Sequence, residues 1–124
     1  MPHILLTTSA NLVENTDIPD ILRELVSELC RHETIDSKAV KSYHSLFHTW
    51  AMGEGAPAGF AHCALSLITG RSVELRKNIA DAMYARLRAC FKSSLEVGEV
   101  SLTFELREMD AETYRKSFSP TLQT

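Results

Sequence analysis

The apolar residues of this chain change their spacing from strand-like to helix-like and back, twice in the same order, and that succession limits the available folds more than any other feature. Residues His3 to Thr8 are aliphatic or β-branched and end at the polar Ser9-Ala10-Asn11, which predicts a strand followed by a loop. From Thr16 onward, Ile18, Ile21, Leu22, Leu25, Val26 and Leu29 follow the i, i+3, i+4, i+7 spacing of one helical face. Thr16 or Asp17 is placed to cap that helix, and Pro19 falls in its first turn, where a missing N–H costs little. The stretch Ala39 to Met52 has no helical period and stops at Gly53-Glu54-Gly55-Ala56-Pro57, so it predicts a long strand and a turn.

The same order then recurs. Phe60 to Ile68 reads as a strand, Gly70-Arg71-Ser72 as a turn, and Val73 to about Phe91 as a helix with Ser72 at its N-cap. That helix turns Ile79, Met83, Leu87 and Cys90 inward and leaves Arg76, Lys77, Arg86 and Arg88 for water or a partner. The last strand alternates strictly, with Val100, Leu102, Phe104 and Leu106 on one side and Ser101, Thr103, Glu105 and Arg107 on the other. The expected fold class is α/β (α+β): two βαβ units in one domain over residues 1–124, with pattern-related halves of about 1–57 and 58–124. They build a four-stranded sheet with two helices on one face, parallel within each unit. The other face then needs cover. With Leu46, Trp50 and Phe60 expected in the strands, a symmetric oligomer is the predicted solution.

Composition narrows the function classes. A hydrophobic share of 44%, with five Gly and four Pro, excludes intrinsic disorder and collagen-like repetition. A net charge of −3 gives no footprint for a polyanion, so nucleic acid is not an expected partner. No stretch approaches the ~20 apolar residues of a membrane span, and Met1 to Thr8 lacks the basic start and apolar run of a secretory signal; a cytoplasmic location is expected. Cys30, Cys63 and Cys90 are odd in number and without CxxC spacing, as expected of small buried side chains rather than a disulfide framework.

No phosphate loop, GxSxG, HExxH or GxGxxG motif occurs. Of the five histidines, His3, His32, His44, His48 and His62, the pair His44 and His48 has a spacing that shares a metal on a helix. On a strand such residues lie about 13 Å apart, so no metal is expected. The informative feature is Pro2 at the head of the first strand. Removal of Met1 would leave a secondary amine on a rigid ring, which can accept a proton as a general base. An ordinary α-amino group has a pKa of about 7.7–8.0 and a prolyl amine is more basic, so catalysis at neutral pH requires burial or neighbouring cations to lower it.

The Met1-Pro2-His3 start, the two βαβ units, Thr49-Trp50-Ala51-Met52 leading to Gly53 and Gly55, and Gly70-Arg71-Ser72 with Glu74 and Arg76 together resemble the 5-carboxymethyl-2-hydroxymuconate delta-isomerase family of the tautomerase superfamily. The likeness extends through Val100 to Met109 and covers nearly the whole chain. It implies a homotrimer with active sites near subunit contacts, no cofactor, and a small-molecule carboxylate substrate. In the family, the residue matched by Pro2 moves a proton between carbons of an unsaturated keto acid formed in the degradation of homoprotocatechuate and related aromatic acids. Arg71 matches the family's arginine at the turn before the second helix. Where relatives carry an arginine after the first helix this chain has Lys41, followed by Ser42-Tyr43 in place of a second basic residue. Lysine keeps the charge and loses the bidentate fork. The resemblance thus assigns Pro2 to catalysis and Arg71, Lys41 and Tyr43 to substrate binding. Alternatives are another proline-dependent chemistry on the same fold (hydration, dehalogenation or decarboxylation) or a non-enzymatic trimeric protein that binds a small carboxylate.

Overall fold

The computed structural model describes residues 2–119. Four strands, β1 (His3–Ser9), β2 (Lys41–Phe47), β3 (Gly59–Ile68) and β4 (Val100–Met109), form one sheet in the order β2-β1-β3-β4. Helix α1 (Ile18–Leu29) joins β1 to β2, and α2 (Val73–Cys90) with the short α3 (Lys92–Glu96) joins β3 to β4. Each of these pairs is parallel, as a helical crossover requires. The two units meet through the central β1–β3 pair, which is antiparallel, so the sheet is mixed.

Strand alternation decides what the helices cover. Ile4, Leu6 and Thr8 of β1 pair with Leu65, Cys63 and Ala61 of β3, and all six are buried in the helix-covered layer. Ile21, Leu25 and Leu29 of α1 and Ile79, Met83 and Leu87 of α2 close that core. Arg86 fastens the two helices by donating to Glu24 at 3.1 Å and Glu28 at 3.2 Å. The buried Glu14 accepts from the Ser94 backbone N–H at 2.9 Å, tying the turn before α1 to α3.

Several local expectations shift. The Ser72 hydroxyl caps α2 by accepting from the Leu75 N–H at 3.1 Å, whereas Asp17 sits at the N-cap of α1 without a side-chain bond. A 3-10 turn at Val13–Asp17 precedes α1, and the Thr16 hydroxyl donates back to the Val13 carbonyl. The strand expected from Ala39 to Met52 is only Lys41–Phe47: β2 is an edge strand, and its sole neighbour β1 ends at Ser9 opposite Phe47. Trp50 therefore lies outside the sheet, its indole N–H donating to the Ala58 carbonyl at 3.0 Å. Leu46 shares a face with Thr8, toward the helices, so of the three residues expected on the uncovered face only Phe60 is there, beside Phe47. Helix α2 stops at Cys90, and Phe91 is fully buried between α2 and α3. Gly59 opens β3 where a β-carbon would collide with Ser9 and Asn11.

Candidate active site

Pro2 stands at the head of the inner strand β1, with its side chain buried. Its carbonyl accepts a hydrogen bond from the Lys41 backbone N–H at 3.1 Å, which brings Pro2 and the first residue of β2 side by side. Met1 lies outside the described residues. Because β1 and β2 run parallel while β3 and β4 run opposite to β1, the start of β1 and β2 shares one end of the sheet with the finish of β3 and β4. Residues nearly 70 positions apart in sequence converge there.

Lys41 and Tyr43 project from the uncovered face of β2, both exposed, two positions apart and so about 7 Å from each other along the strand. The Lys41 ammonium donates to the Ala39 carbonyl at 3.1 Å. Arg71 follows Gly70, whose φ of 130° suits a residue without a side chain. Its guanidinium donates to the Thr34 hydroxyl at 3.1 Å, the Thr34 carbonyl at 3.0 Å and the Ile68 carbonyl at 3.2 Å. Two of its five N–H groups are thus used in pinning the loop between α1 and β2 and a third in holding the end of β3, and two are left for an anion. Arg76 in turn donates to the Arg71 carbonyl at 3.3 Å and lies 3.6 Å from Glu108. The structure therefore groups Pro2, Lys41 and Tyr43 on adjacent strands and places Arg71 behind the loop that leads into β2.

Two further residues join this group: His3, named in the sequence only among the histidines and in the Met1-Pro2-His3 start, and Tyr114, which the sequence did not single out. The His3 ring lies between two tyrosines: Nδ1 is 3.2 Å from the Tyr43 hydroxyl and Nε2 is 3.3 Å from the Tyr114 hydroxyl. Burial and the positive charge of Lys41 lower the pKa of His3, which favours the neutral ring. Tyr114 comes from the segment after β4, 111 positions away from His3 and in no periodic pattern, so only the fold could reveal it.

His44, His62 and Glu105 are engaged elsewhere. His44 faces the helices, 2.7 Å from the Thr8 hydroxyl, and burial lowers its pKa. His62 lies 2.7 Å from Glu105, which also accepts from Arg107 at 2.8 Å; the Arg107 and His62 contacts pull the Glu105 carboxyl down to about 2. Burial pushes the Cys63 and Cys90 thiols up to about 12 and about 11, so neither is a thiolate near neutral pH. Among the described residues, no cluster of three His, Cys, Asp or Glu side chains could hold a metal ion, and no helix is long and apolar enough to cross a membrane.

Residues 2–119 match the family model described as 5-carboxymethyl-2-hydroxymuconate isomerase. A 5-carboxymethyl-2-hydroxymuconate Delta-isomerase of Escherichia coli is 24% identical over 110 residues, covering 88% of this chain and 87% of that protein. The crystal structure of a 5-carboxymethyl-2-hydroxymuconate isomerase from Deinococcus radiodurans R1 superposes with a TM-score of 0.86 at 25% identity, over 95% of this chain and 90% of that one. A fused 4-OT described as a wild-type symmetric trimer has the same fold, with a TM-score of 0.60 at 18% identity over 87% of this chain and 85% of the other. With the sheet order, the crossovers and the family match in agreement, the chain belongs to the 5-carboxymethyl-2-hydroxymuconate isomerase family of the tautomerase superfamily, and it is an isomerase.

Proposed function

We propose that this protein isomerises unsaturated keto acids of the hydroxymuconate type during the degradation of aromatic compounds such as homoprotocatechuate, without a cofactor. Pro2, freed by removal of Met1, acts as the general base. The observation that carries the reading is the position of Pro2, buried at the head of β1 and joined through its carbonyl to Lys41. Burial and a neighbouring ammonium both favour a neutral amine, the form that can take up a proton. That amine removes a proton from a carbon in conjugation with the substrate carbonyl and returns it at another carbon, so no redox partner is required. Negative charge collects on the carbonyl oxygen in between, as in a dienolate. Lys41 and the two free N–H groups of Arg71 bind carboxylate or enolate oxygens, which orients the substrate and stabilises that charge. Tyr43 supplies a neutral donor where relatives have a second basic residue.

The uncovered sheet face carries Phe47, Phe60 and Leu5, and its cover in this reading is a homotrimer, the state described for the fused 4-OT relative in fold. Such a trimer places the head of β1 near a subunit contact. Light scattering should give three chains per particle; a monomer at micromolar concentration would sink the shared site.

The decisive experiment joins intact mass with the isomerisation of a 2-hydroxymuconate-type dienol. Loss of Met1, with activity that falls tenfold or more in Pro2→Ala, about 1.4 kcal/mol or more of transition-state stabilisation, is the expected result. Retained Met1, or activity indifferent to Pro2, overturns the mechanism. Lys41 in place of an arginine, with Tyr43 in place of a second basic residue, favours one second reading, in which the same amine promotes hydration, dehalogenation or decarboxylation of a related acid. A substrate profile in which the dienol is a poor substrate and one of those reactions depends on Pro2 would select it.

A further inference from the structure

A neutral imidazole has one N–H donor and one bare acceptor nitrogen, and in His3 both nitrogens face tyrosine hydroxyls. Whichever tautomer holds, one tyrosine donates to the ring and the other accepts from it. The accepting tyrosine keeps its own O–H hydrogen free to point away from the chain of three groups. The two states are therefore mirror images in hydrogen-bond direction. In one, the free donor is Tyr114; in the other it is Tyr43. Both hold the same three protons, one on each oxygen and one on the ring, so no acid, base or other reagent is consumed in passing between them.

The cation next to Tyr114, Arg115, is engaged with the Glu112 and Tyr114 carbonyls. Tyr43, in contrast, is exposed on the same face of β2 as Lys41, whose charge also acts on His3. An anion held by Lys41 gains a further donor from Tyr43 only when the Tyr43 oxygen accepts from the ring. That requires the proton on Nδ1 and a bare Nε2 accepting from Tyr114. We propose that Tyr114 and His3 are positioning residues that aim the Tyr43 hydroxyl at a substrate carboxylate, so that the segment after β4 sets carboxylate recognition at the head of β1. This inference rests on the isomerase reading for the identity of the anion, and not for the geometry of the chain. Each bond polarises the next, so the outward O–H of Tyr43 is a stronger donor than an isolated phenol.

Two measurements test it. The first is the ring 15N spectrum of His3 with muconate, an unreactive dicarboxylate, as the probe. The wild type is expected to shift to the Nδ1–H tautomer on binding, and Tyr43→Phe is expected not to. A ring that stays Nε2–H in the complex overturns the proposal. The second is steady-state kinetics with the 2-hydroxymuconate-type dienol. Tyr114→Phe and Tyr43→Phe are each expected to raise KM by about 3- to 10-fold, the worth of one hydrogen bond, with kcat within about twofold. The double variant is expected to match Tyr43→Phe alone, because Tyr114 acts only through that hydroxyl. Additive losses, or a fall in kcat with KM unchanged, overturn it. If wild type fails to turn over the dienol, the isomerase reading fails, while the muconate spectrum still decides the hydrogen-bond chain.

Discussion

On the helix-covered face of the sheet, Ile4, Leu6, Cys63, Leu65 and Leu67 are sealed from solvent. One position along each strand, on the opposite face, stand His3, Leu5, His62, Ala64 and Ser66, with Lys41 and Tyr43 on one flank and Thr103, Glu105 and Arg107 on the other. The backbone is shared, so the contrast is entirely one of side-chain parity. One face is filled to close packing and tolerates almost no polar atom unless it is bonded, as Thr8 is to Asn15 and His44. The other holds paired and hydrogen-bonded polar groups beside apolar rings, a surface suited both to a partner chain and to an anion. The covered face supplies stability, the uncovered face and the buried head of β1 supply chemistry, and substitutions should separate the two.

The deepest cut on the covered side is Leu65→Ala, expected to cost about 2–5 kcal/mol in urea unfolding because the surrounding core cannot collapse into the space. Its activity per folded molecule should be unchanged. Pro2→Ala is the counterpart at the site, expected to lose tenfold or more in kcat/KM with the unfolding midpoint nearly constant. A variant that lost both, or neither, would break the division between faces. Ser72→Ala removes the cap of α2, worth about 1 kcal/mol, and reports how much of the stability of the covered layer comes from local helix chemistry.

Acid titration sharpens the uncovered side and carries the smallest effect. Arg107 and His62 hold the Glu105 carboxyl near 2, below its ordinary 4.5. A depressed carboxylate stabilises the fold above its unfolded pKa and loses that contribution as the pH falls from about 4.5 towards 2. Glu105→Gln should therefore lower the unfolding midpoint slightly at pH 7, where the carboxylate contacts are intact, and flatten its decline between about pH 4.5 and 2. An undiminished decline would mean that carboxylates elsewhere carry the acid sensitivity.

Much of this was legible in the residues. Strict alternation from Val100 to Arg107 predicts a strand with one covered face, and the spacing of Ile18, Ile21, Leu25 and Leu29 predicts α1, because an element that buries one side must repeat at its own period. Pro2, Arg71, Lys41 and Tyr43 were named from their place in that pattern and from the family resemblance. The covered face of β1 was not legible: in His3-Ile4-Leu5-Leu6-Thr7-Thr8 both parities are apolar or β-branched, so nothing local distinguishes Ile4 from Leu5. Nor was the end of β2, since the residues after Phe47 keep a strand-like character while their hydrogen-bond partner has run out.

The site divides along the same line. Periodicity, caps and turns are interactions among near neighbours, and the amino-acid order by itself determined them: the two βαβ units, the Ser72 cap and the turn that carries Arg71. What only the tertiary structure decided are the contacts between distant segments. The antiparallel β1–β3 pair joins the halves, Arg71 grips Thr34 across 37 positions, and Tyr114 meets His3 across 111. Such contacts leave no periodic trace, because their energy comes from where two folded elements happen to pack, and it is felt only once the chain between them has closed.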